Sequence, residues 1–167
     1  MSANTVDRLM DVAEAAIRQR GFHAVSFRDL AAELGVKSAS VHYHFRTKED
    51  LGVALVERYG KEITAALNAW EGDAATGFFM VHKQAMDDDG RLCLCAMLGA
   101  ESCGLPDGVA RAVRAYYERN LNWLIEKLGD KARASQVFAA AQGAMILALT
   151  LDDHQLFDQA MTETTGS

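Results

Sequence analysis

Proline, cysteine and long apolar runs are all scarce in this sequence. One proline in 167 residues and little period-two alternation argue against a β-sheet, while the Ala, Leu, Glu, Arg and Met content favours helices. No charged segment followed by a long apolar run opens the chain, and no uninterrupted apolar stretch reaches membrane-spanning length. Three cysteines without a secretory signal indicate free thiols. We therefore expect an all-α, cytoplasmic protein without a membrane partner.

Signatures of catalysis and of metal binding are also missing. The chain has no phosphate-binding glycine loop, no HExxH zinc motif and no GxSxG elbow, and its acidic pairs fall at helix caps and turns. His23, His42 and His44 are the histidines that could suggest a metal site. His42 and His44 point in opposite directions on one helix, so they cannot easily share an ion. We expect no enzyme, no cofactor and no metal.

The negative charge of the chain is concentrated in its C-terminal part. The net charge is −6, yet residues 1–60 hold eight basic and eight acidic side chains, so all of the excess lies in residues 61–167. Affinity for DNA follows the number of phosphates contacted and not the total charge, provided that the cations cluster on one face. The overall acidity therefore does not exclude a nucleic-acid-binding N-terminal segment.

The stretch from Ser26 to Leu51, SFRDLAAELGVKSASVHYHFRTKEDL, has the pattern of a helix-turn-helix. Ser26 with Asp29 makes a capping box, so a helix is predicted to begin at the next residue, and Gly35 is suited to the left-handed conformation that ends it. A second helix is predicted from Ser38 to Phe45. Thr47 with Asp50 forms another capping box, which predicts a third helix from Lys48.

The second of these helices carries a polar, hydrogen-bonding surface. Val41 and Phe45 lie four residues apart and face inward, which leaves serine, histidine and tyrosine side chains for the groove of DNA. Lys48 stands at a helix N-terminus, a position suited to phosphate. The candidates for contact with DNA are Arg28, Lys37, Ser38, Ser40, His42, Tyr43, His44 and Lys48.

The segment GFHAVSFRDLAAELGVKSASVHYHFRTKEDL resembles the DNA-binding segment of the TetR (TetR/AcrR) family of transcriptional regulators. The resemblance implies an N-terminal three-helix DNA-binding domain at 1–47 and a larger helical ligand-binding and dimerisation domain at 48–167, with 48–70 as the connecting helix. It further implies a repressor that binds a palindromic operator in double-stranded DNA as a homodimer and is released by a small-molecule effector.

Helical periodicity continues through the rest of the chain. It predicts a helix of over twenty residues from Lys48, a break at 72–77, and further helices at 78–86, 92–102, 106–128 and 134–151. Asp152 with Gln155 is predicted to cap a last helix, followed by a loose tail after Thr162. Residues 134–151 are apolar nearly all round and rich in small side chains, so we expect the last two helices to form the homodimer interface.

Aromatic, sulfur-containing and polar side chains of the larger domain are candidates for lining an effector cavity. A few placed polar groups in an apolar cavity fix a ligand's orientation, which singles out His82, Tyr116 and Gln142. The full set of candidates is Phe79, His82, Met86, Met97, Cys103, Tyr116, Tyr117, Trp123, Phe138, Gln142 and Met145.

Two alternatives remain open at this stage. A redox- or electrophile-sensing regulator on the same scaffold would react at Cys103, near a helix end and Gly104, or at its neighbours. Cys93 and Cys95 project about 200° apart on one helix, so they cannot form a disulfide with each other. A Cys103→Ser variant that kept its oxidant response would eliminate this alternative. The other is a helical interaction module that no longer binds DNA, which Arg28→Ala combined with Lys48→Ala would test through the salt dependence of binding.

Overall fold

The computed structural model describes residues 3–87 and 90–166. Within these ranges the chain forms nine α-helices and no strand, which confirms the all-α prediction. The helices, in chain order, are α1 Ala3–Arg20, α2 Phe27–Leu34, α3 Ser38–His44, α4 Lys48–Ala69, α5 Ala74–Asp87, α6 Leu94–Ala100, α7 Asp107–Leu128, α8 Lys131–Leu151 and α9 Gln155–Thr165.

Both predicted capping boxes are present. The Asp29 amide donates to the Ser26 hydroxyl at 3.2 Å, and the Ser26 amide donates to the Asp29 carboxylate at 3.1 Å. These bonds from Ser26 lower the pKa of the Asp29 carboxyl. Thr47 and Asp50 repeat the exchange at the start of α4, with both distances 3.0 Å. Each box satisfies amides that the first turn of a helix leaves free, so α2 and α4 begin where the sequence indicates.

The turn between α2 and α3 is as tight as the sequence predicts. Gly35 adopts φ +67°, and its amide and that of Val36 bond back to carbonyls near the end of α2. A residue with a side chain is strained in this left-handed conformation. Val41 is 1% exposed and anchors α3 to the core, while Phe45 is half-buried and lies just past the helix end. The opposite side of α3 therefore remains at the surface.

The prediction that α5 begins at Phe78 is wrong by four residues. The Asp73 carboxylate accepts a hydrogen bond from the Thr76 amide at 2.7 Å, so Asp73 caps the helix and α5 starts at Ala74. Gly77 lies inside α5 and is not a helix breaker. A Cβ there would meet the Trp70 indole at 2.4 Å, which explains why glycine occupies this position.

The other helix boundaries lie within three residues of the prediction, and several agree with it. α6 is shorter than predicted, and α8 begins earlier because Asp130 caps it through the amides of Ala132 and Arg133. Asp152 adopts φ 52° and ends α8, and it is the Asp153 carboxylate that accepts from the Gln155 amide. The residues after Thr162, predicted to be loose, continue α9 to Thr165.

The chain divides into two compact units. The first unit comprises the described residues up to Tyr59 together with Leu94–Arg114, and the second unit comprises those of Gly60–Cys93 and from Ala115 onward. In the first unit α1 packs against α2 and α6, and α2 packs against α3. In the second unit α5, α8 and α9 pack against one another. The first unit thus includes a segment from the middle of the chain.

Among the described residues, α8 is long and apolar enough to cross a membrane when judged by length and composition alone. Gln136, Gln142 and Thr150 interrupt its apolar residues, so this helix does not contradict the expectation that no uninterrupted apolar stretch reaches that length. Ala134, Val137, Ala141, Ala144 and Ala148 are buried within the second unit, as in a core helix of a globular protein. The exposed side of the same helix carries Ile146, Leu147 and Leu151, at 48%, 53% and 62% exposure. Three neighbouring apolar side chains facing water form a patch typical of an interface.

Candidate functional site

α3 presents polar and aromatic side chains at the surface of the first unit. Tyr43 is 82% exposed, and the His42 side chain is exposed beside the buried Phe27 ring, with centroids 4.8 Å apart. Ser38 is also exposed, whereas Ser40 and His44 are half-buried. A short helix anchored on one side and polar on the other can lie in a major groove.

The acidic residues of the first unit are largely engaged within it. Asp29 and Asp50 serve the capping boxes, and Arg58 binds Asp11 at 2.7 Å and Glu14 at 2.9 Å. The arginine thus partly neutralises two of these carboxylates.

Arg28 and Lys37 are exposed, on α2 and at the residue before α3. Neither forms an ion pair within 4 Å with another residue that the structure describes. A segment with a net charge of zero therefore still offers cations beside α3, the arrangement that phosphate contact requires.

The side chain of Lys48 is occupied within the first unit. Its ammonium donates to the carbonyls of Phe22 and Val25, both at 2.9 Å, and lies 4.4 Å from the centroid of the Phe22 ring. Burial lowers the pKa of this lysine, and the nearby Glu101 carboxylate partly opposes the shift. An ammonium has three N–H donors. Two of them go to these carbonyls, so Lys48 connects the loop between α1 and α2 with the start of α4.

Several effector-cavity candidates form the core of the second unit. Phe79, His82, Met86, Tyr116 and Met145 are all at most 1% exposed. The His82 Nδ1 lies 2.8 Å from the Phe78 carbonyl, and its Nε2 lies 3.4 Å from the Tyr116 hydroxyl. Burial lowers the pKa of the His82 imidazole to about 4, so it is neutral near pH 7. This polar cluster is satisfied inside the core and lines no open groove.

Three other candidates line an apolar groove of about 400 Å³ between α7 and α8. Tyr117 and Phe138 lie side by side with ring centroids 5.2 Å apart. Both polar atoms of the Gln142 amide are buried without a hydrogen-bond partner. Leu121 and Ala139 complete the apolar lining, and the sequence pattern does not single them out.

The remaining candidates lie elsewhere. Trp123 lines a more polar groove with the second half of α4 and donates to the Asn68 side chain at 3.1 Å. Met97 lies on α6, and Cys103 is exposed in the turn after α6, both in the first unit. Among the described residues, no group of three His, Cys, Asp or Glu side chains is placed to hold a metal ion.

Two acidic residues that the sequence pattern missed connect separate segments of the first unit. The Glu101 carboxylate accepts from the Phe22 amide at 2.7 Å, and the Glu49 carboxylate accepts from the Gly108 amide at 2.6 Å. The pairs are 79 and 59 residues apart in sequence. Nothing in a local pattern predicts either contact.

Comparison with known proteins gives matches over the helix-turn-helix and over the whole fold. Residues 9–55 match the family model described as bacterial regulatory proteins, tetR family. The HTH-type transcriptional repressor NemR of Escherichia coli K12 is 29% identical over 119 residues, which cover 66% of this chain and 60% of NemR. The match thus spans less than two thirds of that relative's length.

The HTH-type transcriptional regulator BetI of Brucella canis is 29% identical, over 83% of this chain and 74% of the relative. A TetR transcriptional regulator from Legionella pneumophila has a crystal structure that superposes with a TM-score of 0.89 at 27% identity, covering 99% of this chain and 97% of that one. The shared helix-turn-helix and the agreement along the full length lead to one conclusion: this chain belongs to the TetR family.

Proposed function

We propose that this protein is a cytoplasmic, homodimeric transcriptional regulator that binds a palindromic operator and is released from it by a small molecule. The observation that carries the proposal is the exposed face of α3. Two capping boxes and the Gly35 turn flank this helix, and Val41 on its opposite side is buried. In a dimer, two such helices about 34–36 Å apart would enter successive major grooves of a palindrome. Repression is the form of control that the name of NemR supports.

The exposed apolar patch of α8 supports pairing with a second copy. Ile146, Leu147 and Leu151 would cover the same residues of the partner in an isologous contact. α9 packs beside α8 and would contribute to the same interface. We therefore assign the homodimer interface to α8 and α9.

DNA binding is tested by the salt dependence of operator affinity. We expect the wild-type dimer to bind a palindrome from the promoter of its own gene with a steep negative slope of log K against log salt. Arg28→Ala combined with Lys37→Ala should reduce that slope by about 0.9 for each phosphate that is no longer neutralised. Fluorescence anisotropy titrations at four salt concentrations measure it.

Lys127→Ala is the matched control, since Lys127 is an exposed cation on α7 in the second unit. It should leave the slope unchanged. Failure of a folded wild-type dimer to discriminate a palindrome from random DNA would contradict the proposed function.

For the effector site we propose the groove lined by Tyr117, Leu121, Phe138 and Gln142. Its lining is largely apolar but includes Glu118 and Ser135, and neither polar atom of the buried Gln142 amide has a hydrogen-bond partner. Leaving buried polar atoms unpaired costs about 1–3 kcal/mol each. A ligand with an apolar body and a carboxamide group, which both donates and accepts, could satisfy both amide atoms after a change of the Gln142 rotamer.

Gln142→Leu separates this proposal from a merely structural role of the amide. We expect the variant to unfold at a higher temperature than the wild type, because it removes two unpaired polar atoms. Benzamide should raise the unfolding midpoint of the wild type more than toluene does, and this difference should disappear in Gln142→Leu. An equal response of both proteins to both probes would place the effector elsewhere.

A further inference from the structure

The turn after α6 holds the loop between α1 and α2. The Glu101 carboxylate accepts a hydrogen bond from the Phe22 amide at 2.7 Å. Gly21, with φ +82°, makes room for this contact, because a Cβ there would stand 2.2 Å from a Glu101 oxygen. The loop is thus shaped around a carboxylate supplied from a distant part of the chain.

The same loop is held from its other side by α4. Lys48 bonds the carbonyls of Phe22 and Val25, which lie at the two ends of the loop, and Ser26 immediately after it caps α2. The negative charge of Glu101 raises the pKa of Lys48 and so favours its ammonium form. Glu101 and Lys48 therefore hold the same loop through its amide and its carbonyls, immediately before the residue that caps α2.

A reciprocal contact joins α4 to the start of α7. The Glu49 carboxylate accepts from the Gly108 amide at 2.6 Å. Gly52 allows close approach, because a Cβ there would meet both the Phe22 ring and Val109 at 2.8 Å. The segment 94–114 is thus bonded twice to the helix-turn-helix part of the first unit, once through each carboxylate.

We propose that Glu101 is a positioning residue for DNA binding, which holds the α1–α2 loop and thereby fixes α2 and α3 for insertion into the groove. This inference rests on the proposed DNA-binding function. Glu101 itself need not touch DNA. Its contribution is to keep the Phe22 amide and Lys48 in the arrangement from which the helix-turn-helix extends.

Two substitutions at this position separate the carboxylate's charge from its hydrogen bond. Glu101→Ala removes both, whereas Glu101→Gln keeps a carbonyl oxygen that can accept from the Phe22 amide. We expect Glu101→Ala to lower operator affinity by about tenfold or more, the equivalent of one charge-assisted hydrogen bond. Glu101→Gln should recover part of that loss. Glu71→Ala, which removes an exposed carboxylate of the second unit, should bind as the wild type does.

Affinity is measured at a temperature where each variant is fully folded by circular dichroism and dimeric by sedimentation. A general loss of stability would then leave the affinity of the folded protein unchanged, whereas misplacement of α3 would not. Wild-type affinity of the folded Glu101→Ala dimer would overturn the inference. If Glu101→Ala does not fold, Glu101→Asp takes its place, because the shorter side chain withdraws the carboxylate from the Phe22 amide, and wild-type affinity of its folded dimer overturns the inference equally.

Hydrogen exchange provides a readout that is independent of DNA. In both Glu101 variants the amides of Phe22, α2 and α3 should exchange faster than in the wild type, with no change in α8. Unchanged exchange would overturn the inference even if the variants bind DNA more weakly than the wild type. Faster exchange in a protein whose wild type binds no operator would instead refute the proposed function and leave the holding of the loop established.

Discussion

Leu147→Glu is expected to convert the protein into a folded monomer with little affinity for its operator. Leu147 is 53% exposed within the protomer, so the charge costs little there, but in the proposed dimer it would be buried against its own symmetry mate. In a dimer the two DNA-binding segments are linked, so binding of the first half-site raises the effective concentration of the second segment at its own half-site. Loss of the dimer removes this gain and should weaken operator binding by about 100-fold or more. Sedimentation and anisotropy titrations on the same samples measure both effects.

Asn122→Glu controls for the added negative charge, because Asn122 is exposed on α7 and does not belong to the α8 patch. It should stay dimeric and bind DNA nearly as the wild type does. Leu147→Met should also remain a dimer, since its volume and polarity are preserved. A Leu147→Glu protein that sediments as a dimer with unchanged affinity would contradict the assignment of the interface to α8.

Tyr43→Ala is expected to lower DNA affinity strongly, though less than Leu147→Glu does, while leaving the fold intact. The ring is 82% exposed, so its removal should change the free energy of unfolding by less than about 0.5 kcal/mol. A good contact to a base is worth about 1–3 kcal/mol, and a dimer makes it twice. Operator affinity should therefore fall by about 30-fold at the lower limit. Anisotropy titration and thermal unfolding give the two quantities.

Tyr43→Phe distinguishes the hydroxyl from the ring. If the hydroxyl makes the contact, this variant should lose as much affinity as Tyr43→Ala; if the ring packs against DNA, most affinity should remain. Binding to random DNA should change less than binding to the operator when the contact is to a base. Unchanged operator affinity for Tyr43→Ala would remove this residue from the DNA interface.

Local patterns suffice for the helix-turn-helix and fail where contacts bridge distant residues. The Ser26 and Thr47 capping boxes and the Gly35 turn depend on residues three positions apart or on one backbone conformation, so the sequence predicts them directly. The predicted start of α5 is wrong because Gly72 and Gly77 have the character of helix breakers. The indole of Trp70 lies over Gly77, and that contact exists only in three dimensions.

Among the polar residues, too, local patterns predict the position along a helix but not the contacts with distant residues. The sequence predicts Tyr43 and His42 at the surface of α3 because Val41 fixes the buried side. It also predicts Lys48 at a position suited to phosphate, but the bonds of Lys48 to carbonyls 26 and 23 residues away have no sequence signature. Of the candidates for the effector cavity, only those with a place on the facing sides of α7 and α8 line the apolar groove, and helical period alone does not decide which sides face each other.

The interleaved chain path of the first unit bears on protein engineering. A chimera that joins the N-terminal helices of this protein to the sensing helices of another regulator would be cut once in the simplest design, within α4 after Tyr59. Such a graft would leave the Phe22 amide without the carboxylate of Glu101 and the Glu49 side chain without its amide partner. Transplanting 94–114 together with the N-terminal helices would carry both contacts, so a functional hybrid calls for three junctions in the chain and not one.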